Sequence, residues 1–250
     1  MIVRQSLKGC PVYAVIPTWK RERMCARAVE SLREHAPELT DIIVVEGVSP
    51  IFKARNAGVE AVREKDAIIL MMDDDIFYDE HLRLSETLAR WEARFGVVQL
   101  GWIRPDWPTF AMPVVKTLRP SPFFWMGGGF LFKRSLWAEV GGYHDEYLDD
   151  IAFCAESYRL GFENVHSEHS WGHHENDNPN GGLAESAVFS QSNMAKYGIG
   201  GQPWHTRGGV TTIYANFVTP DLRLEHIESA RKRFGSEVDA DAYAAAVSKL

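Results

Sequence analysis

The residues best suited to chemistry stand in two acidic clusters and one run of histidines. Asp73-Asp74-Asp75 follows Ala67 to Met72, an apolar run without alternation. Such a run predicts a strand buried on both faces, and open α/β sheets bind their ligands at the C-terminal ends of such strands. Three consecutive like charges repel one another unless a cation or several donors neutralise them. Aspartate oxygens suit Mg2+ or Mn2+, whose shells substrate phosphates commonly complete. A solvated acidic turn is the alternative this stretch leaves open. The second cluster, Asp145, Glu146, Asp149 and Asp150, crowds the start of a helix whose buried side would be Ile151, Cys154 and Tyr158. A helix N-terminus needs only one carboxylate as a cap, so the crowding implies a further task for one of them. Four histidines then fall between His166 and His174, with Glu168, Glu175 and Asp177 interspersed. The pair His173-His174, following a short strand beside acidic residues, is a candidate metal-ligand set.

The elements that must position these groups alternate regularly. Val12 to Ile16 predicts a first strand, turned by Pro17-Thr18-Trp19, and helical spacing of Met24, Ala28 and Leu32 predicts a helix over 21–35 that Pro37 ends. Ile42 to Val45 predicts a second strand, and Ile51 to Glu64 a helix whose small residues Ala54, Ala57, Gly58 and Ala61 suit close packing on a sheet. After the aspartate strand, Leu84, Leu88, Trp91 and Phe95 recur as on one helix face. This alternation is that of an α/β fold with a doubly wound, mostly parallel sheet. Val97 to Trp102 predicts a further strand. The stretch 103–122, rich in proline and aromatics, has no period and would wrap one end of the sheet, with Trp102, Trp107, Phe110 and Trp125 covering core or stacking on a sugar. Gly127-Gly128-Gly129 inside an apolar run means a backbone pressed against a ligand or a neighbouring strand. A short helix over 135–140 would be capped by Gly141-Gly142, and residues 176–182 form a polar loop. Helices are expected again over 222–234 and 239–250.

At 250 residues the chain can bury a sizeable core, and its net charge of −7 argues against general nucleic-acid binding. The longest apolar runs are too short to span a membrane. Cys10, Cys25 and Cys154 make neither a disulfide framework nor a zinc pattern and suit the cytoplasm.

Taken in order, these segments resemble the GT-A glycosyltransferases, particularly the inverting family 2 type, from about Val12 to Gly198. Val15-Ile16-Pro17-Thr18-Trp19 is similar to that family's opening strand and turn, and Ile42 to Glu46 to its second strand, whose closing acid reads the nucleotide base. Ala54-Arg55-Asn56-Ala57-Gly58 resembles the helix over the nucleotide, and Asp73-Asp74-Asp75 the DXD motif. Gly127-Gly128-Gly129, Lys133-Arg134-Ser135 and Val140 to Tyr143 are similar to the central donor and acceptor segment. Asp149-Asp150 stands where the family has Glu-Asp, Gly172-His173 resembles the late metal-binding histidine with His174 adjacent, and Lys196-Tyr197-Gly198 the end of the catalytic region.

The resemblance implies a GT-A fold, a mixed, mostly parallel sheet flanked by helices. It places a nucleotide-sugar-binding half over about 11–100, an acceptor half over about 101–200 and a helical extension over 201–250. It implies a UDP-sugar donor first and a GDP-sugar second, a glycan or other hydroxyl as acceptor, and Mn2+ or Mg2+ held by Asp75 with His173 or His174. Pro17, Thr18, Trp19, Glu46, Arg55, Asn56, Asp73, Asp74, Gly128 and Gly129 would contact the donor, Arg55 at its diphosphate. Asp150, with Asp149 beside it, would be the general base. Two rivals are a nucleotidyltransferase making sugar nucleotides and a sugar-binding module without catalysis. The first wants a glycine- and arginine-rich loop after the first strand, where Pro17 to Arg21 has no glycine.

Overall fold

Val12–Thr18 (β1) is buried along nearly its whole length because both of its neighbours in the sheet are parallel strands. The computed structural model describes residues 7, 9–103, 119–120, 129–144, 149–175, 195–207 and 210–235. Glu22–His35 (α1) follows β1, then Asp41–Glu46 (β2), Ile51–Ala61 (α2), Ile68–Met72 (β3), Ile76–Tyr78 (β4), Leu84–Ala89 (α3) and Phe95–Ile103 (β5). Beyond these lie Arg119–Pro120 (β6), Gly129–Lys133 (β7), Arg134–Val140 (α4), Asp149–Arg159 (α5) and Glu163–His174 (β8). Ile199–Arg207 (β9), Val210–Val218 (β10) and Pro220–Phe234 (α6) complete the described chain.

The main sheet has the order β2-β1-β3-β7-β5-β8-β4, with β6 beside β8. Strands β2, β1, β3, β5 and β8 run one way, and β7, β4 and β6 run against them. The sheet is therefore mixed and mostly parallel. β3 lies at its centre, as its unbroken apolar run requires. Ile68, Leu70 and Met72 pack with Ala28 and Leu32 of α1. Ile69 and Met71, pointing the other way, pack with Val59 of α2 and Phe153 of α5.

Two expectations change. The helix predicted to reach Phe95 stops at Ala89, and Phe95 opens β5. Trp91 and Phe95 are still buried with Leu84 and Leu88, so the spacing marked a shared core side across a turn. The chain turns into the sheet at Arg94, whose carbonyl accepts from the Glu163 amide and whose guanidinium meets the Glu163 carboxylate. The segment expected as a helical extension after 200 instead opens as the antiparallel hairpin β9–β10 and becomes helical at Pro220. That helix, α6, packs into the core through Leu222 and against α5, where the His226 and Tyr158 rings stack at 3.7 Å. Among the described residues no helix is long and apolar enough to cross a membrane. Gly128, most of 103–122, the loop 176–182 and the helix expected over 239–250 lie outside the described residues.

Candidate active site

Parallel pairing assembles the site from segments far apart in sequence. β1 and β3 pair with Val15 opposite Met71. Three residues further on, the same register sets Thr18 against Asp74, and the Thr18 hydroxyl donates to Asp74 Oδ2 at 2.7 Å. β2 brings Glu46 opposite Thr18 on the other side, with Glu46 exposed at the strand end. Between these ends lies a cleft of about 220 Å³ lined by Pro17, Thr18, Trp19, Arg21, Val48, Ser49, Ile51, Ala54 and Asp74. Trp19 is half exposed on its rim. Pro17, Thr18, Trp19 and Asp74 therefore gather at one cleft, with Glu46 beside it.

The three aspartates have different partners. Asp73 Oδ1 accepts from Arg55 Nη2 at 3.1 Å. Asp74 accepts from Thr18 and from Arg21 Nη1 at 2.8 Å. Burial, with Asp75 and Asp73 adding to it, raises the Asp74 pKa despite these donors. Asp75 accepts from Arg21 Nη2 at 3.0 Å through Oδ2, and its Oδ1 faces His174 Nε2 at 3.2 Å. Burial opposes its charge, but His174 and Arg21 outweigh that and hold its pKa below the ordinary value.

The histidine pair splits. Successive residues of β8 point to opposite faces, so His174 reaches Asp75 while His173 turns outward. His173 Nε2 lies 2.9 Å from Asp79 Oδ2, so of the two histidines expected as alternatives it is His174 that lies beside the aspartates. Asp79 also accepts from the His81 amide and ring Nδ1. Burial is outweighed by these bonds, and its pKa falls to about 2.

The residues present fit a divalent ion at Asp75 and His174. Asp75 Oδ1 is buried and faces the His174 imidazole. Its 3.2 Å separation from the imidazole nitrogen is close to the roughly 3 Å between adjacent ligands of an octahedral ion with bonds of about 2.1 Å.

The second acidic cluster joins the first through Arg55. Only 5% exposed, its guanidinium lies 3.1 Å from Asp73 and 3.2 Å from Asp149 Oδ2. Burial works against that charge, but Asp149, Asp73 and Asp150 outweigh it and hold the guanidinium protonated. Burial raises the carboxyl pKa of both Asp149 and Asp150, with Arg55 opposing it. Arg55 therefore serves two aspartates where a donor diphosphate was expected. Asn56 is also engaged within the protein: its amide donates to the Tyr143 carbonyl and accepts from Tyr143 N and Trp137 Nε1. It fixes α2 to the Gly141-Gly142 turn after α4. Gly142, at φ +84°, sits where a Cβ would come within 2.9 Å of Asn56 Oδ1.

Gly129 has a structural reason as well. A Cβ there would lie 2.1 Å from the Tyr78 phenol oxygen, so the close approach is from a neighbouring side chain. Sequence reasoning missed Tyr78 and Arg21. The available signal for Arg21 was a basic residue two positions after the Thr18-Trp19 turn, close to the first strand's end.

The family model for glycosyl transferase family 2 matches residues 51–147. No curated protein matches the chain by sequence. Among solved structures, the mannosyltransferase PcManGT of Pyrobaculum calidifontis, in complex with GDP-Man and Mn2+, is 15% identical with a TM-score of 0.57, over 99% of this chain and 82% of that one. TarS of S. aureus, residues 1–349, is 11% identical with a TM-score of 0.56, over 91% and 72%. GalNAc-T7 with UDP, GalNAc and Mn2+ is 13% identical with a TM-score of 0.50, over 66% of this chain and 44% of that one. A segment from α2 to residue 147 is thus similar to glycosyl transferase family 2, and the sheet that carries it has the GT-A fold of these solved structures.

Proposed function

We propose that the chain transfers a sugar from a nucleoside diphosphate sugar to an acceptor hydroxyl, with inversion at the anomeric carbon and with Mn2+ or Mg2+. The observation that carries this reading is the facing pair Asp75 and His174, a buried carboxylate oxygen 3.2 Å from an imidazole nitrogen at the acidic tip of β3. An ion bound there would neutralise the charge that gathers on the departing diphosphate.

The chain's own residues do the rest. The cleft takes the nucleoside, with the exposed face of Trp19 stacking on the base and Thr18 and Glu46 at its polar edge. Asp73, the most exposed of the three aspartates, takes the ribose hydroxyls. Asp149 is held by Arg55, which leaves Asp150 to accept the acceptor's proton as it attacks. Burial makes Asp150 a stronger base than a solvated carboxylate. A carboxylate that only removes a proton leaves the sugar carbon to a single displacement, hence inversion. A UDP-sugar is the first donor to test and a GDP-sugar the second, with a glycan or other hydroxyl compound as acceptor. Free thiols at Cys10, Cys25 and Cys154 suit the cytoplasm.

The test is a thermal-shift screen of nucleoside diphosphates and their sugars with and without Mn2+, followed by transfer assays. A metal-dependent shift with one nucleotide is expected, lost in Asp75→Ala and retained in Asp150→Asn. The Asp150 variant loses turnover by roughly 10²–10⁴. Absence of a metal-dependent shift with every nucleotide overturns the metal reading, and near-normal turnover in Asp150→Asn overturns the base.

A further inference from the structure

The acidic tip of β3 already holds one fixed cation. Arg21 follows Lys20, which adopts a left-handed backbone (φ +56°) that turns the chain from β1 toward α1. Its guanidinium spans Asp74 Oδ1 at 2.8 Å and Asp75 Oδ2 at 3.0 Å while lining the cleft. Thr18 bonds Asp74, and His174 faces Asp75. Among the described residues, Arg21 is the side chain that bonds both buried carboxylates. With no diphosphate present it repels a divalent ion at Asp75 and His174, since it shares one of the ion's ligands. A diphosphate reverses the sign, because its oxygens attract both charges, and the forked guanidinium matches phosphate geometry.

We infer that Arg21 couples the two ligands of this site: it weakens binding of the bare divalent ion and turns to the diphosphate when the donor arrives, so that ion and nucleotide bind well only together. The inference rests on the reading that Asp75 and His174 hold the ion. A one-third exposed side chain, with water at one side, can move between these partners. Coupling of this kind is reciprocal, so Arg21 also makes nucleotide affinity depend on the ion.

The test titrates Mn2+ by calorimetry into the full chain, alone and with saturating UDP or GDP, for the wild type, Arg21→Gln and Arg21→Lys. In Arg21→Gln, Mn2+ alone should bind about tenfold tighter, and the gain in Mn2+ affinity given by nucleotide should shrink by about tenfold, a usual size for coupled sites. Arg21→Lys keeps the charge and should bind Mn2+ alone as the wild type does, while losing part of the nucleotide gain with the fork. Equal or weaker Mn2+ binding by Arg21→Gln, with the nucleotide gain unchanged, overturns the inference while leaving the ion's site intact. Absence of Mn2+ binding by all three proteins in every condition overturns the ion's assignment, and this inference with it.

Discussion

At the scale of single residues, the site is a problem of crowded negative charge solved by a few shared cations. Arg55 lies between Asp73 and Asp149, and Arg21 between Asp74 and Asp75. The Asp149–Asp150 pair stays strained, because burial raises both carboxyl pKa values above that of an unfolded aspartate, about 3.9. A raised folded-state pKa means that the folded chain binds the proton more tightly. Stability therefore falls as pH rises from the unfolded value through the folded one, and the loss is complete above it. The urea midpoint of the wild type should drop between pH 5 and pH 8, and the drop should be smaller in Asp150→Asn, which carries no charge there. A variant that loses turnover while denaturing no earlier at pH 8 marks a charge kept for chemistry. The same residues show what the sequence made legible. Adjacent aspartates after a buried strand announce themselves, since charge at that place needs a reason. The choice between His173 and His174 depended on which way β8 faces, and a strand's facing is set by its pairing partners. Arg55 and Asn56 were correctly placed on one helix, but their partners come from 73, 137, 143 and 149, which no local pattern links.

At the scale of elements, close packing of α2 on the sheet determines where Arg55 stands. Gly58 is the contact point, for a Cβ there would lie 2.2 Å from Val15 Cγ1 of β1 and 3.1 Å from Val45 Cγ2 of β2. The run of small residues in this helix was readable as a packing face, and the structure explains it by those two valines. Gly58→Ala gains helix propensity of about 1 kcal/mol but overpacks the interface, which costs about 1–3 kcal/mol. Because strand methyls back the contact, α2 must move outward, and the salt links from Arg55 to Asp73 and Asp149 lengthen with it. Chemical denaturation should show a net loss of stability, and turnover should fall more than Mn2+ affinity. The reason is that Asp75 and His174 sit on other elements. Gly58→Ser, slightly larger, should worsen both effects. An alanine variant with wild-type turnover would separate α2's position from catalysis.

At the scale of the whole molecule, the last described helix, α6, supports the helix that carries Asp150, the proposed base. The sequence placed a helix over 222–234 but not its destination, because its partners lie some 70 residues earlier, beyond the reach of any local pattern. In the structure α6 lies against α5. His226 stacks on Tyr158 with its Nδ1 at the Tyr158 carbonyl, Arg159 bonds Glu225, and Arg233 bonds the Leu160 carbonyl. All of these contacts gather at the C-terminal end of α5, whose first turn holds Asp149 and Asp150. Gly161 is the hinge of the arrangement. Its φ of +90° is a conformation that a side chain resists, and a Cβ there would meet Ala230 N at 2.5 Å. Gly161→Ala therefore suffers both backbone strain and a backbone clash, together costing roughly 2 kcal/mol or more, which for a chain of this size lowers Tm by about 4–8 °C. Undocking α6 frees α5 to shift along its axis, so Asp150 moves relative to the cleft while the aspartate tip of β3 stays in place. Gly161→Ala should accordingly keep the Mn2+-dependent nucleotide shift expected in the thermal-shift screen and lose transfer rate. The loss should be recovered at lower temperature, where α6 redocks. Equal loss of nucleotide binding and turnover at all temperatures would mean that α6 supports the entire sheet and not the base in particular.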